Sequence, residues 1–154
     1  MPRRPDGAFP WERLPAVDDA TDDGMPDARR ASWTLPAEAS STSRARRLVR
    51  AALRDWAGIA YGEVPEVAEL LVSELVANVL RHGRGEPVLT LLLRDGVLRC
   101  EVEDEARVPV RARDRSPDDE GGRGLLIVES LSSSWGVRPT SRGKAVWFEL
   151  AVRP

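Results

Sequence analysis

The chain has 154 residues, 42% hydrophobic and 31% charged, with a formal net charge of −2. That length and balance suit a single domain with an adequate core, and a charge so near zero excludes a general electrostatic drive toward nucleic acid or a membrane surface. Of the 23 basic residues only Lys144 is a lysine, and acids interrupt the arginines everywhere except Arg44–Arg50.

Residues 1–30 hold five of the twelve prolines, an acidic patch (Asp18, Asp19, Asp22, Asp23) and no periodicity. They read as a disordered N-terminal arm preceding a domain over 31–154. Phe9 and Trp11 are either a docking peptide or incidental aromatics of that arm. The N-terminus lacks the apolar core of a signal peptide. No apolar run approaches the roughly 20 residues that span a bilayer, so a cytoplasmic location is expected.

Ser32–Pro36 (SWTLP) predicts a short edge strand stopped by proline. Ser40–Ala57 predicts a helix, with Ser41, Thr42 or Ser43 as its cap. Leu48, Ala51, Ala52 and Trp56 form its expected buried stripe, and Gly58 ends it. Val64–Gly83 (VPEVAELLVSELVANVLRHG) predicts a second, long helix with Pro65 near its first turn. Asp95-Gly96, between the β-rich runs Val88–Arg94 and Val97–Asp104, predicts a hairpin. Cys100 falls inside the second of these runs as a small buried hydrophobe. It is the only cysteine, which excludes an internal disulfide, and no Cys/His cluster offers a zinc site. Arg107–Gly122 is a long polar loop of the kind that is often functional. Gly124–Leu131 predicts a short helix, and Trp135–Pro139 and Ala145–Val152 predict two closing strands around a turn at Ser141–Gly143. The order β, α, α, β, β, loop, α, β, β predicts an α+β fold. It is a two-layer α/β sandwich of a mostly antiparallel sheet and one helical layer.

Three positions carry chemistry. At about 100° per residue, Glu74 and Asn78 fall in the middle of the apolar arc of Val67, Leu70, Leu71, Leu75 and Ala77, between Leu70 and Leu71 and away from the expected solvent face of Glu66, Glu69 and Ser73. A carboxylate there costs several kcal/mol unless partnered. Either the pair faces a buried nucleotide or metal pocket, or Glu74 and Asn78 bond each other, or Glu74 pairs with an arginine. In a pocket, the Asn78 carbonyl suits a divalent ion and Glu74 suits proton abstraction. Asp104, ending a strand where the long loop begins, is either an acceptor for an exocyclic amine or a turn aspartate. Gly121-Gly122-Arg123-Gly124, running into Leu125, either lets backbone N–H groups approach a phosphate at a helix start or is an ordinary connection. It is not a Walker P-loop. His82, the only histidine, sits at a helix C-terminus, where a structural role suffices.

Taken in order, these pieces resemble the GHKL ATPase superfamily, and within it the small anti-sigma-factor serine/threonine kinases. Ser73–Gly83 (SELVANVLRHG) resembles the N box, Gly121–Ser130 (GGRGLLIVES) the second glycine box, and Gly143–Leu150 (GKAVWFEL) the closing strand. The resemblance implies a Bergerat-type sandwich binding ATP and Mg²⁺, with phosphoryl transfer to a Ser or Thr of a small antagonist protein. It implies Glu74 as general base, Asn78 as magnesium ligand and Asp104 as acceptor of the adenine amine. It places His82, Ala106, Gly122, Arg123, Gly124 and Leu125 around the nucleotide, with Arg107–Gly121 as a lid. The implied partners are a sigma factor or a small anti-anti-sigma-like protein, and a homodimer through the first strand around Trp33, which the arm could equally cover. Arg46, Arg47, Arg50 and Arg54 form either a partner surface or a solvated face. The chain departs from the family at the first glycine box, where Ala106 and Val108 replace glycines, and at Lys144, where a hydroxyl residue is usual. The rival function is a non-enzymatic module that sequesters a sigma factor or other regulator with ATP binding weak or lost.

Overall fold

The computed structural model describes residues 28–106 and 120–152, with the side chains of 120–123 excepted. Its elements are β1 (Arg29–Thr34), α1 (Ser40–Ala57), α2 (Glu63–His82), β2 (Val88–Arg94), β3 (Val97–Asp104), α3 (Glu120–Leu131), β4 (Ser134–Pro139) and β5 (Lys144–Ala151). The strands form one sheet in the order β1-β2-β3-β5-β4, and every neighbouring pair is antiparallel. The three helices lie on one face. Alternate residues of the sheet (Leu89, Leu91, Cys100, Val102, Val146, Phe148) pack with Val49, Leu53, Leu71, Leu75, Val79 and Val128 in a single core. This is the expected two-layer sandwich. No described helix is long and apolar enough to cross a membrane.

The hairpin forms where Asp-Gly predicts it. Asp95 and Gly96 both stand at positive φ, 53° and 75°, the condition for a two-residue turn that matches strand twist. Cys100 is fully buried in β3, and burial pushes its thiol pKa well up. β1 begins at Arg29 rather than Ser32, within the segment read as the arm, and pairs at the sheet edge with Trp33 opposite Leu89. Residues 1–27, including Phe9 and Trp11, lie outside the described residues, as do 107–119 of the expected lid.

Three local expectations change. α1 has no side-chain cap: Ser41 Oγ donates to the Pro36 carbonyl (2.5 Å) and Thr42 Oγ1 to that of Ala39 (2.8 Å). The chain already turns helically at Ala39 (φ −57°, ψ −33°), so the hydroxyls tie the preceding loop down. The buried stripe of α1 is Ala45, Val49, Ala52 and Leu53, flanked by half-buried Leu48 and Trp56. α3 starts at Glu120, so the glycine cluster is the helix's first turn and not its leader. Helical glycines cost about 1 kcal/mol each against alanine, which makes this turn the weakest of the element.

The buried arc of α2 is Pro65, Ala68, Leu71, Val72, Leu75, Val76, Asn78 and Val79, while Leu70 is 39% exposed. The sheet lies against the Leu75–Val79 side. Glu74 and Asn78 therefore stand at the edge of the apolar arc, not at its centre. On the far face of the sheet Arg99 Nε and Arg138 Nη2 donate to Glu101 (2.8 and 2.7 Å). Arg99 also reaches Glu149 at 3.4 Å and stacks 4.2 Å from the Trp147 ring centroid.

Candidate functional site

The edge of α2 that the apolar arc leaves behind carries Glu74 and, one turn on, Asn78. Asn78 is 2% exposed. Neither its Oδ1 nor its Nδ2 has a hydrogen-bond partner among the described residues. An orphaned buried amide costs on the order of 1–3 kcal/mol per group. The carboxylate of Glu74 is half-buried, and no described hydrogen bond or ion pair reaches it. The two alternatives, a Glu74–Asn78 hydrogen bond and an arginine partner for Glu74, are therefore both absent among the described residues.

Three glycines let backbone come close to this edge. A Cβ on Gly124 of α3 would lie 2.5 Å from Glu74 Oε2. At the other end of α2, a Cβ on Gly83 would lie 2.8 Å from Asp104 Oδ2, and one on Gly143 would collide with the Asp104 carbonyl. Gly83 closes the helix by donating to the Val79 carbonyl at 2.7 Å, and Glu105 N–H donates to Arg84 O at 2.9 Å. The end of α2, the end of β3 and the start of β5 thus meet around Asp104. From Glu74 to Gly83 the helix rises about 13 Å, comparable to the reach of a nucleoside triphosphate.

Asp104 is fully buried. Its Oδ1 accepts the Ala106 N–H at 2.6 Å, the turn geometry typical of aspartate. Its Oδ2 pairs with Lys144 Nζ. Ala106 is not among the residues with positive φ, so it makes the turn without glycine's freedom. Lys144, which stands where the family usually carries a hydroxyl residue, is only 3% exposed. The signal was its parity, since Lys144 shares a strand face with the core residues Val146 and Phe148. Its pairing with Asp104 required the β3–β5 register, which no local pattern supplies.

The remaining candidates fall as follows. His82 is exposed at the last residue of α2. Leu125 is 1% exposed within the core. Gly122 and Arg123 lie in the first turn of α3. Among the described residues no three His, Cys, Asp or Glu side chains gather as a metal cluster. A divalent ion at Asn78 would take its other ligands from phosphate oxygens and water, as magnesium commonly does.

The sequence profile of the histidine kinase-like ATPase domain matches residues 35–150. The chain belongs to that family. The ATPase-domain match contains all three motifs, Ser73–Gly83, Gly121–Ser130 and Gly143–Leu150, and agrees with the GHKL resemblance drawn from them. A solved structure of the RsbU and RsbW domains of Rv1364c from Mycobacterium tuberculosis is similar, with a TM-score of 0.55 and 23% identity. The match covers 81% of this chain and 33% of that one, so the histidine kinase-like ATPase domain here spans a third of the longer protein. The likeness is one of fold.

Proposed function

We propose that this ATPase domain binds Mg-ATP and transfers its γ-phosphoryl group to a serine or threonine of a small regulatory partner protein, in the manner of an anti-sigma-factor kinase. The observation that carries this reading is Asn78, a buried amide whose two polar atoms have no partner among the described residues, one turn from a carboxylate equally without one among them. The donor set fits the group: an amide oxygen is a suitable magnesium ligand, and Gly124 brings α3 close to Glu74 while Gly83 and Gly143 let the chain close around Asp104. Bound magnesium would neutralise phosphate charge. Glu74 would take the proton of the acceptor hydroxyl as its oxygen attacks phosphorus, and ADP leaves. Asp104 would accept the exocyclic amine of the base, and the backbone at Gly122 and Gly124 would face the phosphates. Most of the rate gain in such a site comes from positioning and charge stabilisation.

For the partner, α1 offers less than its arginine count suggests. Arg46 bonds Ser43, Arg50 pairs with Glu69, and Arg54 with Asp55. Arg44 and Arg47 remain exposed and are the candidate contacts for an acidic face of a sigma factor or antagonist. The edge strand β1 is the candidate for a homodimer. A second reading, a sequestering module with weak nucleotide binding, draws on the engagement of Asp104 by Lys144 and Ala106.

Thermal unfolding with and without Mg-ATP separates the two. Nucleotide at about 100 times Kd adds roughly 2.7 kcal/mol of stability, and no shift at millimolar Mg-ATP would favour the sequestering module. Labelled ATP mixed with a candidate partner should then transfer phosphate, and Glu74→Ala should abolish transfer while leaving binding. Transfer that survives the substitution removes Glu74 from its role.

A further inference from the structure

The helix-facing side of the sheet ends in an ion pair where hydrocarbon would pack. Asp104 and Lys144 stand opposite each other in the β3–β5 register, just beyond the Val102–Val146 pair. Their side chains are 0% and 4% exposed. Burying two opposite charges is often no better for stability than burying hydrocarbon of similar volume, so the pair invites a role other than stability.

Their bonding capacity indicates one. An ionised carboxylate only accepts and an ammonium only donates. Asp104 takes Ala106 N–H on one oxygen and Lys144 on the other, which leaves further lone pairs. Lys144 bonds Asp104 alone among the described residues, which leaves N–H groups unspent. Next to Gly83 an acceptor and a donor thus lie side by side. A lone carboxylate there would welcome the amine of adenine and repel a carbonyl at the same position. The amine donates and the carbonyl of a 6-oxopurine accepts.

We infer that Lys144 makes base selection permissive, so that the cleft takes 6-oxopurine nucleoside triphosphates as well as adenine ones. The amine of adenine bonds Asp104, and the carbonyl of a 6-oxopurine bonds the ammonium of Lys144. This inference rests on the nucleotide reading proposed above.

Calorimetric titration of the full chain with Mg-ATP and Mg-ITP tests it, because the two differ only along the base edge in question. The wild type should bind both within about tenfold, whereas a site reading its base by an acceptor alone discriminates far more strongly. Lys144→Thr, whose hydroxyl ends well short of the ammonium's position and so withdraws the donor from the base, should weaken ITP at least tenfold relative to ATP, and Lys144→Arg should retain ITP. A wild type preferring ATP by more than about a hundredfold overturns the inference without any variant. So does a Lys144→Thr protein whose ATP-to-ITP ratio is unchanged, which would make the pair purely structural. If neither nucleotide binds the wild type, the nucleotide reading itself falls and the inference with it; ATP binding with strict selection sinks the inference alone.

Discussion

Asn78 is the residue at which stability and function pull apart. Its two amide atoms are buried without partners among the described residues, and replacing an unsatisfied polar group by hydrocarbon of similar shape can be neutral or stabilising. Asn78→Leu should therefore hold or raise the melting temperature of the free protein while removing its response to Mg-ATP; a marked loss of stability would mean the amide is structural. Gly124 makes a complementary case. A Cβ there meets the far end of Glu74, a side chain free to swing, so Gly124→Ala should fold normally, gain up to about 1 kcal/mol from helix propensity, and lose transfer by on the order of a hundredfold through displacement of the carboxylate. Unimpaired transfer would show that Glu74 need not sit against α3. Glu74 and Asn78 were legible in the sequence because polar residues at helical spacing interrupt a run of leucine and valine. Their position at the rim of the arc was not, since it depends on which side of α2 meets the sheet. Nor was Lys144, whose partner lies forty residues away and is set by strand register alone.

The elements themselves were readable wherever a local rule fixed them. The Asp95-Gly96 turn, the two strands it joins (Val88–Arg94 and Val97–Asp104) and the Gly58 terminus of α1 at φ 70° follow from glycine's conformational freedom and from β-rich runs on either side of the turn. The start of α3 escaped because a run of glycines usually precedes a helix and here forms its first turn. β3 also carries a titratable network that gives the sheet its own pH dependence. Burial pushes the Glu101 pKa up, but the charges of Arg99 and Arg138 outweigh that and hold it below the usual 4.5. A carboxylate with a lowered folded pKa adds stability that is complete above its unfolded value and is lost as pH falls through the folded one. Acid titration of unfolding should thus show stability falling below about pH 4.5, and Glu101→Gln should flatten that limb at a cost on the order of 3 kcal/mol near neutrality. An unchanged acid limb would assign it to other carboxylates.

For the whole molecule, α1, α2 and the central strands form one heavily packed body, and α3 is joined to it through fewer elements. α1 and α2 pack on each other and share a core with β2, β3 and β5. α3 is held chiefly by α2, with a lesser contact to β4, and begins in a glycine-rich turn. Local opening is cheapest where buried contacts are few, so α3 amides should exchange with solvent well before those of the β2–β3 hairpin. A nucleotide lying along α2 from Asp104 to Glu74, as proposed above, would meet α3 at Gly124 and so bridge it to the packed body. Adding Mg-ATP should slow exchange most in α3 and over Asn78–Gly83, by a larger factor than in β1 and β2. Uniform slowing across the sheet and α3 would mean that the nucleotide stabilises the fold globally without engaging α3, and would place the phosphates elsewhere than against Gly124.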